Sequence, residues 1–222
     1  MKIVVLISAN AEWRAVKQLL PKTNPQPTQL GESFLADLGF GRLIFFHGGW
    51  GKISAAATTQ YVIDHFSPDL LVNLGTCGGL AGRITPGTVI LVEKTIVYDI
   101  LEQMSDTDEA IAHYTTLLDL SWLKPPASRS FQRGLLVSAD RDILKADVPT
   151  LVEKYGAVAA DWESGAIAWV ARRNGVRCLI LRGVTDVVSV EGGEAYGNIE
   201  LFHERTKAVM KNLLEQLQEW LQ

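Results

Sequence analysis

Along most of the chain, short runs of consecutive apolar residues alternate with stretches whose apolar residues recur every three or four positions. The first pattern belongs to strands covered on both faces, the second to helices packed on them. "IVVLISA" (3–9) predicts a buried strand, and 11–20 a helix stopped by Pro21. "ESFLADLGFGRLIFFHGG" predicts a hairpin that turns near Gly39 and Gly41, and "GKISAAATTQYVIDHF" a helix over 51–66 that ends before Pro68. "DLLVNLG" and "TVILVEKTIVYD" read as strands separated by a glycine-rich loop, "TCGGLAGRITPG". Beyond an ambiguous polar region at 100–130, "RGLLVSA" (133–139) predicts a strand, "DVPTLVEKYG" a helix closed by Gly156, and "AVAAD" a short strand. A helix over 163–173 stops at Asn174-Gly175, a favourable C-terminal signal. "VRCLILRGVTD" is a further doubly apolar strand, and a long final helix over 199–221 carries Leu201, Val209, Leu213, Leu214, Leu217 and Leu221 at helical spacing.

This alternation predicts a single α/β domain over 1–222, with a mixed central β-sheet flanked by helices. Composition narrows the partners. The 222 residues carry a net charge of −4 and no basic run, which argues against a nucleic-acid surface. No apolar stretch approaches the roughly 20 residues that span a bilayer, and the N-terminal run reads as a first strand, not a signal peptide. Cys77 and Cys178 lie in apolar surroundings, as reduced thiols of a cytoplasmic protein do. The four His are isolated from one another and from both Cys, so no metal site and no cofactor are expected.

In open α/β sheets ligands bind beyond the carboxyl ends of the strands. Four such ends carry chemistry here: "SANAEW" with Glu12, "NLGTCGG" with Thr76, Gly78 and Gly79, "AADWES" with Trp162 and Glu163, and "RGVTD" with Asp186. Singly each has a bland reading. Glu12 and Glu163 suit the first turn of a helix, Asp186 an N-cap, and the glycines a turn. Jointly, three carboxylates beside a glycine-rich segment point to one pocket.

The segments "HGGWGKISAAATTQYVI", "PDLLVNLGTCGGLAG", "PGTVILVEK", "GLLVSADRDI", "AADWESGAIAWVARRNGV" and "LILRGVTDV" follow one another as in the purine nucleoside phosphorylase and nucleosidase superfamily. The closer resemblance is to the 5′-methylthioadenosine/S-adenosylhomocysteine nucleosidases. It covers residues 1 to about 188 and weakens over 99–130. It implies the three-layer nucleoside phosphorylase-like fold, a cytoplasmic homodimer, a purine nucleoside as the small-molecule ligand, and hydrolysis of the N-glycosidic bond. It further implies that Glu12 activates water and that Asp186 protonates the purine. Glu163 would hold the ribose hydroxyls and Trp162 pack against the sugar, while Thr76 and Gly78 belong to the glycine turn. Ile143 would contact the base through its backbone, Arg182 would join the substrate contacts as an arginine near the site, and Tyr196 or Phe202 would cover the ligand from a mobile segment, 189–202.

Two alternatives stay open. A phosphorylase needs cations for phosphate. The arginine that precedes the glycine turn in hexameric phosphorylases is replaced here by Asn73, whereas Arg14 lies near where a phosphorylase arginine sits; it reads as a solvent-facing helix residue. A non-catalytic nucleoside-binding module would keep the pocket and lose an acid. The chain also departs from the nucleosidases at Asp142, where an aromatic residue that stacks on adenine is usual. In the divergent region Tyr98, His113, Tyr114 and Trp122 are expected to serve in core or interface packing.

Overall fold

The computed structural model describes residues 1–221, and a twisted mixed sheet organises all of them. In chain order the elements are β1 (Ile3–Ile7), α1 (Asn10–Leu19), β2 (Gln26–Thr28), β3 (Gly31–Asp37), β4 (Arg42–His47), α2 (Gly51–Phe66), β5 (Leu70–Leu80) and β6 (Val89–Val97). There follow α3 (Thr107–His113), β7 (Thr115–Leu117), β8 (Gln132–Ser138), β9 (Ala159–Asp161), α4 (Ser164–Arg173), β10 (Arg177–Ser189), β11 (Gly192–Gly193) and α5 (Ile199–Trp220). Strand order is β11-β10-β6-β8-β9-β5-β1-β4-β3-β2, with β7 added beside β6. A further pairing of β10 with β5 closes β5, β10, β6, β8 and β9 into a ring.

The doubly apolar strands sort their side chains by parity. Ile3, Val5 and Ile7 of β1, with Leu179 and Leu181 of β10, join one core with Val16 of α1 and Met210, Leu213 and Leu217 of α5. Val4, Leu6, Cys178 and Ile180 point the other way, onto Val62 of α2 and Ile167, Ala168 and Ala171 of α4. These are the two helix–sheet interfaces of a three-layer α/β domain. A third cluster, with Leu80, Ile96, Val137, Ala160 and Val188, belongs to strands of the ring and extends to Leu151.

Two expectations need correction. "TCGG" is strand, not loop: β5 runs on to Leu80, because β10 pairs with it from Leu70 through to Leu80. The segment "DVPTLVEKYG" is not an α-helix but a 3₁₀ turn, Lys145–Asp147, followed by a π turn, Thr150–Lys154. The Tyr155 N–H reaches back five residues, to the Thr150 carbonyl at 3.3 Å, one residue farther than an α-helix allows. The region 100–130 resolves into α3 and β7, with His113 and Tyr114 packed on Trp169 and Trp122 beneath Arg177.

One break in the sheet positions everything that follows. Along the same edge of β5, β1 pairs as far as Asn73 and β9 begins only at Gly78. Between them the edge has no strand partner, and the carboxyl ends of β1, β9 and β10 open beside it. Strand order is interrupted there, as at the switch points where α/β sheets bind ligands.

Close packing of α4 beneath that opening depends on Gly165. A Cβ there would lie 2.7 Å from Val97 Cγ2 and 3.2 Å from Ser138 Cβ. Gly165→Ala is therefore expected to destabilise the fold by about 1–3 kcal/mol, read as a lower urea midpoint at unchanged slope.

Candidate active site

A cavity of about 760 Å³ opens at the break, a volume suited to a nucleoside-sized ligand. Glu12, Thr76, Gly78, Ile143, Trp162, Glu163, Asp186 and Phe202 all line it.

Glu12 sits at the third position of α1 and is almost wholly buried. Its Oε2 accepts from the Ala9 N–H at 3.1 Å, which satisfies one donor at the helix start. Its Oε1 accepts from the Thr76 N–H at 2.6 Å and the Thr76 hydroxyl at 2.9 Å. That N–H is the one left free by the break in the sheet. Thr76 thus lines the cavity while its hydroxyl is committed to Glu12.

Arg182 requires a correction. Grouped with the substrate contacts by resemblance, it is fully buried and does not line the cavity. It lies behind the wall, where Nη2 pairs with Asp161 Oδ2 at 2.8 Å and donates to Asn73 Oδ1 at 2.8 Å. Its Nε donates to Ser164 Oγ at 2.9 Å, and Glu12 and Glu163 stand at 3.8 and 3.9 Å. The guanidinium passes over Gly75 of the neighbouring strand, where a Cβ would come within 1.7 Å of Nη1. Burial alone disfavours its charge, and Asp161, Glu12 and Glu163 outweigh that to keep it protonated.

Asp161 bridges the arginine to the start of α4. It accepts from Ser138 Oγ at 2.6 Å and from the Ser164 N–H at 3.2 Å, and Ser138 Oγ in turn accepts from the Gly165 N–H at 2.9 Å. Glu163 follows with its carboxyl in the cavity, Oε1 accepting from the Gly51 N–H at 3.1 Å. Burial first, then the like charges of Asp161 and Glu12, push Glu163 up to about 8, against the pull of Arg182 and the Gly51 N–H. Glu163 therefore holds a proton more readily than an ordinary carboxyl.

Asp186 lies at the far end of β10. Burial raises its carboxyl above the usual range, although Thr185 Oγ1 donates to it at 2.8 Å and the Ala195 N–H also bonds to it. Beside it the cavity is closed by Tyr196, whose hydroxyl donates to the Ile143 carbonyl at 3.1 Å, and by Phe202 at the start of α5. The carbonyl of Ile143 is thereby occupied. Cys77 also touches the cavity, but burial pushes its thiol far up, out of the nucleophilic range.

Trp162 faces an aromatic partner that lies outside the four strand ends named above. Trp50 stacks on it with ring centroids 4.8 Å apart, and is 62% exposed at the cavity rim. Its signal was present, since "HGGW" follows β4, a strand parallel to β1 whose carboxyl end lies on the same side. The remaining charged lining residues are Asp142 and Arg141, the latter paired with Asp147 at 3.0 Å. Arg14 is absent from the lining; it points outward, 3.4 Å from His203. Tyr98, His113, Tyr114 and Trp122 also lie outside this cavity.

A buried arginine tying acids together behind a carboxylate-lined cleft at a sheet break is an arrangement for binding and acid–base work on a small molecule. The phosphorylase superfamily model matches residues 2–219, and the chain belongs to that superfamily. Among its relatives, the 5′-methylthioadenosine/S-adenosylhomocysteine nucleosidase of Buchnera aphidicola is 23% identical, the match covering 98% of this chain and 99% of that one. The enzyme of the same name from Thermotoga maritima is 26% identical over 72% of each. Among solved structures, a Helicobacter pylori MTAN mutant with 5′-methylthioadenosine in its active site superposes with a TM-score of 0.80, at 17% identity, over 99% of this chain and 97% of that one. A futalosine hydrolase mutant of Helicobacter pylori reaches the same TM-score, 0.80, at 14% identity, over 100% and 99%. No described helix is long and apolar enough to cross a membrane.

The proton on Glu163 has a measurable consequence. The folded state keeps it up to about pH 8, whereas the unfolded chain releases it near 4.5. The folded state thus binds more protons across that window, so this group's contribution to stability falls as pH rises through it and is fully lost above 8. Glu163→Gln is expected to unfold at higher temperature than the parent at pH 9, and the advantage should vanish towards pH 5 in calorimetric scans.

Proposed function

We propose that the protein hydrolyses the N-glycosidic bond of a purine nucleoside, with 5′-methylthioadenosine and S-adenosylhomocysteine, named for its relatives, as first-choice substrates. The observation that carries this reading is the meeting of Glu12, Glu163 and Asp186 in one cavity whose single lining cation, Arg141, is already paired. Acids without a free cation suit water as nucleophile and repel phosphate.

Asp186 donates a proton to N7 of the purine as the glycosidic bond breaks, so that the base leaves neutral. Its raised affinity for a proton, caused by burial, keeps that proton available. Glu163 accepts from the ribose hydroxyls, and in its ionised form stabilises the positive charge that develops on the sugar. Glu12, held by three N–H and O–H donors, takes a proton from the water whose oxygen bonds to the anomeric carbon. An acid at the leaving group and a base on water are the elements of inverting glycoside hydrolysis. Trp162 packs against the sugar, and Tyr196 and Phe202 cover the base.

A second reading keeps the bond and changes the nucleoside. Asp142 lines the cavity where an adenine-stacking ring was expected, and the Trp50–Trp162 pair widens the aromatic surface at the rim. Both favour a nucleoside other than 5′-methylthioadenosine, such as the one named for the futalosine hydrolases. As for its setting, we place the protein in the cytoplasm as a homodimer; the two buried free thiols support the first, and Trp50 and Ile53, both exposed at the start of α2, offer apolar surface for the second.

The test is incubation with methylthioadenosine, adenosylhomocysteine, inosine, adenosine and futalosine, with and without phosphate. Free base without phosphate is expected. Release only with phosphate would make the protein a phosphorylase, and no release a binding module. Asp186→Asn is expected to lower turnover by about 10²–10⁴ with an unchanged melting temperature; survival of activity would remove Asp186 from the acid role.

A further inference from the structure

Asp140, in the segment "VSADRD", does not line the cavity, yet two hydrogen bonds and an ion pair converge on it. Its Oδ1 accepts from the Lys52 backbone N–H at 2.7 Å, its Oδ2 lies 3.8 Å from Lys52 Nζ, and its own N–H donates to Asp99 Oδ2 at 3.0 Å. Lys52 Nζ closes the loop on Asp99 Oδ1. Asp99, Lys52 and Asp140 thus tie the ends of β6 and β8 to the first turn of α2. The first N–H groups of that helix have no intrahelical partner. One is taken by Asp140, and the one before it, on Gly51, by Glu163 at 3.1 Å. Trp50, one residue earlier, stacks on Trp162. The start of α2 is therefore a clip laid over Trp162-Glu163, and Asp140 holds it down.

We propose that Asp140 is a positioning residue. By capping Lys52 it keeps the Gly51 N–H on Glu163, which steadies the carboxylate that the proposed reaction needs. The proposal rests on the ribose-anchor reading of Glu163 for its consequence in catalysis, but not for its geometry. The groups that act on Glu163 are Asp161 from β9, Arg182 from β10, Glu12 from α1 and the Gly51 N–H from α2. Of these, Arg182 and the Gly51 N–H draw Glu163 towards ionisation, and Asp140 holds the helix start that carries the second.

The deciding comparison is Asp140→Ala against Asp140→Asn. Both remove the charge, and only the asparagine keeps an acceptor for the Lys52 N–H. The readout is infrared difference titration of the Glu163 carboxyl in the full-length protein, its band assigned by its loss in Glu163→Gln. In Asp140→Ala the midpoint is expected about one pH unit above that of Asp140→Asn, the size of a lost charge-assisted hydrogen bond. The acid limb of the kcat/KM profile should move with it, a roughly tenfold loss one unit below the midpoint. Equal midpoints in the two variants would overturn the proposal, whatever happens to the melting temperature. If Asp140→Ala does not fold, Lys52→Met removes only the side-chain arm: a smaller upward shift supports the clip and no shift overturns it. Absence of nucleoside cleavage by the parent protein would defeat the functional reading and leave the titration result standing.

Discussion

A guanidinium with no access to water is affordable only among carboxylates, and the site is organised by that requirement. Arg182 is drawn from β10 across Gly75 and is surrounded by Asp161, Glu12 and Glu163, each contributed by a different part of the chain or a different side of the cleft. Removing one partner of such a buried pair typically costs about 3–5 kcal/mol, because the other is left charged and unsolvated. Of the three acids only Asp161 is in direct contact with the arginine. Glu12 and Glu163 stand nearly 4 Å away, near enough to feel its field while both line the cavity. The arginine thus supplies charge balance from behind, while the working faces of the two glutamates stay available.

Three acids to one base leaves the cluster short of positive charge. Together with burial, the deficit raises the affinity of Glu163 for a proton, and a ligand in which positive charge develops would relieve it. A site that is electrostatically unsatisfied when empty binds best to what completes it, which is the general condition for preferring a transition state to a substrate. The helix starts at Asn10 and Gly51 act in the same direction, each presenting N–H groups to one of the glutamates.

Much of this was legible in the sequence. Apolar runs without alternation marked strands buried on both faces, and the strand-end rule brought Glu12, Thr76, Trp162, Glu163 and Asp186 into one search. The misses have physical causes. Glycine in "TCGG" is read locally as a turn, but pairing with β10 along its whole length keeps it extended. The segment from Asp147 has a good helix pattern, but its backbone closes in 3₁₀ and π turns, a difference of one residue in hydrogen-bond reach that apolar spacing does not register. Arg182 follows the pattern of a residue at the site, and no spacing tells that its guanidinium stays behind the wall. The Trp50–Trp162 stack and the Gly51–Glu163 bond join residues 112 apart, a contact for which a single sequence carries no local sign.

The order of these residues along the chain has a bearing on where the sheet can close. Glu12, Asp161 and Glu163 all precede Arg182. Without β10 those acids lack the cation beside them, and β5 lacks the strand it pairs with along its full length. The ring of strands closes only through residues 177–189, which pair with both β5 and β6. Sheet closure and charge balance at the site are thus delivered by one and the same strand.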